Sequence, residues 1–189
     1  MLQQGRRKVP GSPSFLLPLG NNLIWAEQYE AGIGVLNELI QNAPGTPEAY
    51  IRLAEAYRDT GRAELEVETL RRLSRLRPDY PMIHVLTARA MTAVEPADYP
   101  AVLRELAQAE KVTPNDADIF YLRGKVHVAM NLYQNAVADL QRAIELRPMD
   151  PAAYYQLGLV YGKLGRADLA RPAMDRMQHL KEKNATPAR

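Results

Sequence analysis

The chain has 189 residues, 47% apolar and 24% charged, with a formal net charge of +2, which is the make-up of one ordinary globular domain. It contains no cysteine, so disulfides, thiolate metal sites and thiol nucleophiles are excluded, while the redox compartment stays open. Arg6, Arg7 and Lys8 account for more than the whole net charge, so the remainder is near neutral and no general nucleic-acid surface is expected.

Residues 1–12 are polar and basic and carry Gly and Pro, which predicts a disordered tail. Arg6-Arg7-Lys8 followed by Phe15-Leu16-Leu17 has the outline of a signal peptide. Gly20-Asn21-Asn22 interrupts it, however, and no small-residue cleavage site follows. A cytoplasmic location is therefore expected, or a periplasmic or exported one if a signal was removed upstream. No run reaches about 18 apolar residues, so no membrane-spanning helix is expected.

From residue 13 the sequence repeats itself at a spacing of 34 residues, read as successive stretches 13–46, 47–80, 81–116, 117–150 and 151–184. The first is worn: Leu16, Leu19, Gly20 and Leu23 keep its phase, while Pro18 and the Asn pair predict a first helix that frays at its start. The second is clear in Tyr50, Leu53, Ala54, Tyr57, Gly61, Leu70 and Pro78. It has Glu66 where a small residue is usual, so that side chain is expected either to turn outward or to reach a basic neighbour. The third carries two extra residues, assigned to the loop 94–98 between a helix from Met82 to about Ala93 and one starting near Tyr99. The fourth and fifth agree best, with Phe120 over Tyr154, Gly124 over Gly158, Ala136 over Ala170 and Leu140 over Met174. Pro172 is expected to kink the last helix or delay its start. Residues 185–189 form a short tail.

The pattern Tyr154-x-x-Leu157-Gly158-x-x-Tyr161, then Gly165 and Ala170, resembles the tetratricopeptide repeat (TPR). In the copy before it, Arg123 stands where Leu is usual. Small residues at Gly124, Gly158, Ala136 and Ala170 let paired helices approach closely, and Gly165 supplies the turn between them. The resemblance implies an all-α fold: one domain over residues 13–184, an α-solenoid of five antiparallel helix pairs forming a right-handed superhelix with a concave groove.

The resemblance also implies that the second, fifth, ninth, twelfth and thirteenth residues of each repeat face that groove. The fifth positions read Leu17, Ile51, Val85, Tyr121 and Tyr155, an apolar ladder on a face that packing does not require. The ninth positions add Arg89, Lys125 and Leu159. Ile51, Val85, Arg89, Tyr121, Lys125, Tyr155 and Leu159 are thus the candidate binding residues. They suit a protein or peptide partner gripped by apolar contacts and by its acidic or C-terminal carboxylate groups. One TPR subclass clamps chaperone tails with Lys, Asn and Arg. Here those positions hold Ile51, Glu55, Leu86, Asp118 and Leu122, so that clamp is missing.

A non-catalytic interaction module is therefore expected, with no cofactor. His84 and His127 fall on packing positions, the three serines lie in no nucleophile motif, and no phosphate loop or metal signature appears. Arg71, Arg72, Arg75 and Arg77 form a basic cluster, expected to be a solvated face paired with Glu64, Glu66 and Glu68, or alternatively a docking patch for an acidic partner. The alternative function is a self-assembling scaffold joined head to tail through an uncapped last helix bearing Met174, Met177 and Leu180.

Overall fold

The computed structural model describes residues 12–80 and 82–185. The basic segment Arg6-Arg7-Lys8 and most of both expected tails lie outside the described residues. Among those described there are ten α-helices and no strand. The chain divides into two compact units, residues 1–96 and 97–189, and the division falls between the two helices of the third repeat.

The first unit contains α1 (Pro13–Trp25), α2 (Tyr29–Asn42), α3 (Pro47–Asp59), α4 (Ala63–Leu76) and α5 (Ile83–Met91). Within it α1 packs on α2, α2 on α3, α3 on α4 and α4 on α5. The second unit contains α6 (Tyr99–Val112), α7 (Ala117–Ala129), α8 (Tyr133–Leu146), α9 (Pro151–Lys163) and α10 (Ala167–Ala185), and its helices also pack on their successors in chain order. Links this short between packed helices turn the chain back on itself and make antiparallel pairs.

The turn within four of the five repeats is built alike. One residue adopts the left-handed conformation: Glu27 at φ 58°, Gly61 at 71°, Asn131 at 58° and Gly165 at 70°. Glycine does this without a Cβ clash and Asn tolerates it, whereas Glu27 does neither. The third repeat replaces this turn with its longer loop, and α6 begins at Tyr99 as expected.

Helix starts follow the local chemistry. Proline takes one of the first two positions in α1, α3, α6 and α9, where its missing N–H is no loss. Asp98, Asp116 and Asp150 precede α6, α7 and α9, and their carboxylates accept from the N–H groups of Ala101, Asp118 and Ala152. Helix α5 lacks such a cap. Met82 before it sits at φ 62°, and the helix spans nine residues rather than the expected twelve or so.

Both interior prolines are tolerated. Helix α1 starts at Pro13 and runs through Pro18; α10 starts at Ala167, in phase with α8, and runs through Pro172. The expected delay of α10 does not occur. Its packing against α9 outweighs the one hydrogen bond that Pro172 forfeits.

The joints between paired helices are close. A Cβ built on Gly124 would lie 2.8 Å from Leu140 Cγ, and one on Gly158 would lie 2.9 Å from Met174 Cε. Ala136, Leu140 and Val160 are fully buried and, with Leu157 and Tyr161, form the core of the second unit. In the first unit Leu53 and Leu70 hold the places of Leu157 and Leu140, and Tyr50 and Leu73 are also buried.

Candidate functional site

In the second unit, α7 and α9 are in contact and present residues that the core does not use. Helix α9 buries Ala153, Leu157, Val160 and Tyr161. On its other side Tyr155 and Leu159, one turn apart, are 43% and 42% exposed. Gly162 faces open space, and Lys163 is exposed at the end of the same helix.

Helix α7 is buried along most of its surface, at Ile119, Phe120, Leu122 and Val126 among others. Tyr121 is half-buried and packs on the core of Ala136, Leu140, Leu157 and Val160. Lys125, one turn on, is exposed and holds its Nζ 5.8 Å from the centroid of the Tyr121 ring. Burial raises the Tyr121 pKa and the charge of Asp150 raises it further, so the phenol stays protonated and able to donate. The second unit therefore brings together four of the seven candidate binding residues: an aromatic under a cation on α7, and an exposed aromatic–aliphatic pair on α9.

The other three lie in the first unit. Ile51 is half-buried on α3, beside the exposed Arg52–Glu55 ion pair at 2.8 Å. Val85 is buried, contrary to the expectation that it lines an open face. Helix α5 buries Ile83, Val85, Thr87, Ala88, Ala90 and Met91, and a helix apolar on nearly all sides is covered on nearly all sides. Arg89 is exposed, and its charge acts on Glu66 of the same unit.

Glu66 does not turn outward. It is 2% exposed, with Oε1 3.9 Å from Arg58 Nη1, so a basic neighbour takes it up. Burial raises its pKa, and the charges of Arg58 and Arg89 only partly offset that rise.

The arginines of α4 do not pair with Glu64, Glu66 and Glu68 as expected. Arg71 Nη2 lies 3.6 Å from Met91 Sδ, Arg72 stacks 5.7 Å over Tyr50, and Arg77 Nε donates to Asp79 Oδ1 at 3.3 Å. Side-chain reach across a helix joint chose the partners of Arg71 and Arg72, whereas Asp79 is a local neighbour of Arg77.

The last helix is also less open than expected. Leu180 is fully buried, because α10 folds along α9 for much of its 19 residues. Met174 and Met177 are half-buried, and Met174 covers Gly158. The apolar end inferred from these three residues is thus largely closed at Leu180.

Arg123, in place of the usual Leu, anchors a polar network. Its Nε donates to Asp139 Oδ1 at 2.8 Å and its Nη1 to Glu110 Oε2 at 2.5 Å, and the guanidinium lies 4.9 Å over the Phe120 ring. His127 Nδ1 is 2.7 Å from the second oxygen of Asp139, which makes it the satisfied packing histidine that its position implies. Trp25, 78% exposed, belongs to no fifth or ninth position; its thirteenth place in the first repeat was the available signal. Among the described residues no group of three or more His, Asp or Glu side chains is placed to hold a metal ion. No helix among them is long and apolar enough to cross a membrane.

Tetratricopeptide-repeat models match residues 17–81 and 151–184, and a TPR-repeat model matches 124–165. The chain is a tetratricopeptide-repeat protein. It is 29% identical over 85 residues to "DnaJ homolog subfamily C member 3" of Rattus norvegicus, covering 45% of this chain and 17% of that one. It is 29% identical over 91 residues to "Small glutamine-rich tetratricopeptide repeat-containing protein 2" of Saccharomyces cerevisiae, covering 48% and 26%. This TPR chain thus spans about a fifth of the length of such curated relatives. Its fold matches the structure of MamA from Desulfovibrio magneticus with a TM-score of 0.80 at 17% identity, covering 92% of this chain and 97% of that one. It matches a thermophilic TPR protein of Thermus thermophilus at 0.71 and 24%, covering 92% and 93%. The TPR fold is therefore shared well beyond recognisable sequence identity.

Proposed function

We propose that this TPR protein is a non-catalytic adaptor that binds a segment of another protein on the face formed by α7 and α9. The observation that carries the reading is the Tyr155–Leu159 pair, left open on α9, which packs against the helix that bears Tyr121, while the two helices bury most of their other large apolar side chains. Isolated exposed apolar residues need no explanation, but an aromatic–aliphatic pair on a helix packed against one that bears a cation-capped aromatic has the make-up of an interface centre. Lys125 and Lys163 are exposed cations on the same two helices. They favour a partner segment with apolar side chains flanked by acidic groups or ending in a carboxylate. The similar Saccharomyces cerevisiae protein is named as tetratricopeptide repeat-containing, and membership of that repeat family supports an adaptor role.

The variant of choice is Tyr155→Ala with Lys125→Glu, because both residues are exposed whereas Tyr121 also packs the core. The expected result is loss of about 2 kcal/mol or more of partner affinity with an unchanged helical melting curve. Capture of the same partner undiminished by both substitutions would place the binding surface elsewhere.

A further inference from the structure

Helix α4 carries four charged residues on one stripe of its solvent face: Glu64, Glu68, Arg71 and Arg75, at i, i+4, i+7 and i+11. All four are exposed. With Val67 and Val94 they line a surface groove of about 360 Å³ whose walls are mainly apolar. Glu64, Glu68 and Arg75 have no hydrogen-bond or ion-pair partner among the described residues, and Arg71 reaches only the sulfur of Met91.

The order of the charges is palindromic. Reflection about the point between Thr69 and Leu70 exchanges Glu64 with Arg75 and Glu68 with Arg71. The helix dipole favours acids near the start of α4 and bases near its end. It accounts for the signs, but it does not require the matched spacing or the apolar groove that the charges border. An acidic partner lying along the stripe would be repelled by Glu64 and Glu68, and a basic one by Arg71 and Arg75. A partner suited to the whole stripe carries the same charges in reverse order. A second antiparallel copy of α4 does so.

We propose that α4 is a two-fold docking surface for a second copy of this chain. A dyad through the midpoint of the stripe sets Glu64 of each copy against Arg75 of the other, and Glu68 against Arg71. Four ion pairs form around Val67 and Val94 of the two copies. The contact is isologous and closes at two, unlike a head-to-tail array. Its charge pairs set register and orientation, and added salt weakens it.

Sedimentation equilibrium of the full chain over a range of concentration and salt tests this directly. The wild type is expected to reach a dimer, less readily as salt rises. Glu68→Arg and Arg71→Glu each set like charges against one another twice across the dyad. Each is expected to weaken self-association at least about tenfold. Each is also expected to keep the wild-type helical melting curve, since both residues are exposed. An equimolar mixture of the two single variants is expected to recover the dimer, because residue 68 of one then meets residue 71 of the other with opposite sign. The variant carrying both substitutions is expected to recover it alone. A wild type that stays monomeric up to about millimolar concentration overturns the proposal. So do single variants that associate like wild type, or a mixture that remains monomeric. Loss of an acidic partner in Arg71→Glu, with no recovery on mixing, would assign the arginines to a different protein and overturn it as well.

Discussion

The carboxylate of Glu66 is held out of water at a position where the repeat usually carries a small side chain, and the nearest cation is 3.9 Å away. Desolvation raises its pKa above the ordinary value of 4.5 despite Arg58 and Arg89. The folded protein therefore binds this proton more tightly than the unfolded chain does. Stability falls as pH rises from 4.5 through the raised value, and the cost is fully present above it. Glu66→Gln keeps the shape and removes the charge. The variant is expected to melt above wild type at neutral pH, and the gap is expected to close as pH falls below 4.5. Thermal melts followed by circular dichroism across that range check it; a gap independent of pH would mean that burial of the charge is not the cause. That Glu66 breaks the repeat pattern was legible in the sequence. Which arginine would meet it was not, because Arg58 lies on the preceding helix and only the folded joint brings it near.

At the scale of the element, the joint between α7 and α8 shows what a small residue does. Ala136 is fully buried, and its carbonyl oxygen lies 3.5 Å from where a Cβ on Gly124 would sit. Ala136→Leu adds three carbons to a space already filled by Leu140 and Leu157. It is expected to destabilise the protein by about 1–3 kcal/mol in urea unfolding, with little change in the slope of the transition. A variant as stable as wild type would mean that this joint is looser than the geometry implies. The same pair of helices holds Arg123, His127 and Asp139, and Glu110 of α6 completes their network. Arg123 was visible as a departure from Leu, but its partners come from two other helices, 13 and 16 residues away, and no local pattern links them.

At the scale of the whole molecule, the two units meet in sequence at the segment between α5 and α6, where the third repeat carries its two extra residues. Ala93, Glu95 and Pro96 are exposed there, and no helix covers residues 93–98. Exposed, non-helical segments are where proteases cut first. Brief digestion with thermolysin is expected to cleave near Val94 before any helix, giving two fragments of roughly equal mass that mass spectrometry resolves. First cleavage inside a helix pair instead would show that this segment is protected.

Repetition at 34 residues, helix pairing, the turn glycines and the small residues at the joints were determined by the sequence alone. Each is a local preference: a left-handed turn favours Gly or Asn, although Glu27 also adopts it, and two helices in close contact favour a small side chain. The fate of the candidate face was decided only by tertiary structure. Val85 and Tyr155 hold the same place in their repeats, yet one is buried and the other is 43% exposed. Leu180 looked like an open end and is closed. Repeat position says which way a side chain points along its own helix. Whether a neighbouring element covers it depends on packing between elements distant in sequence, which no single repeat encodes.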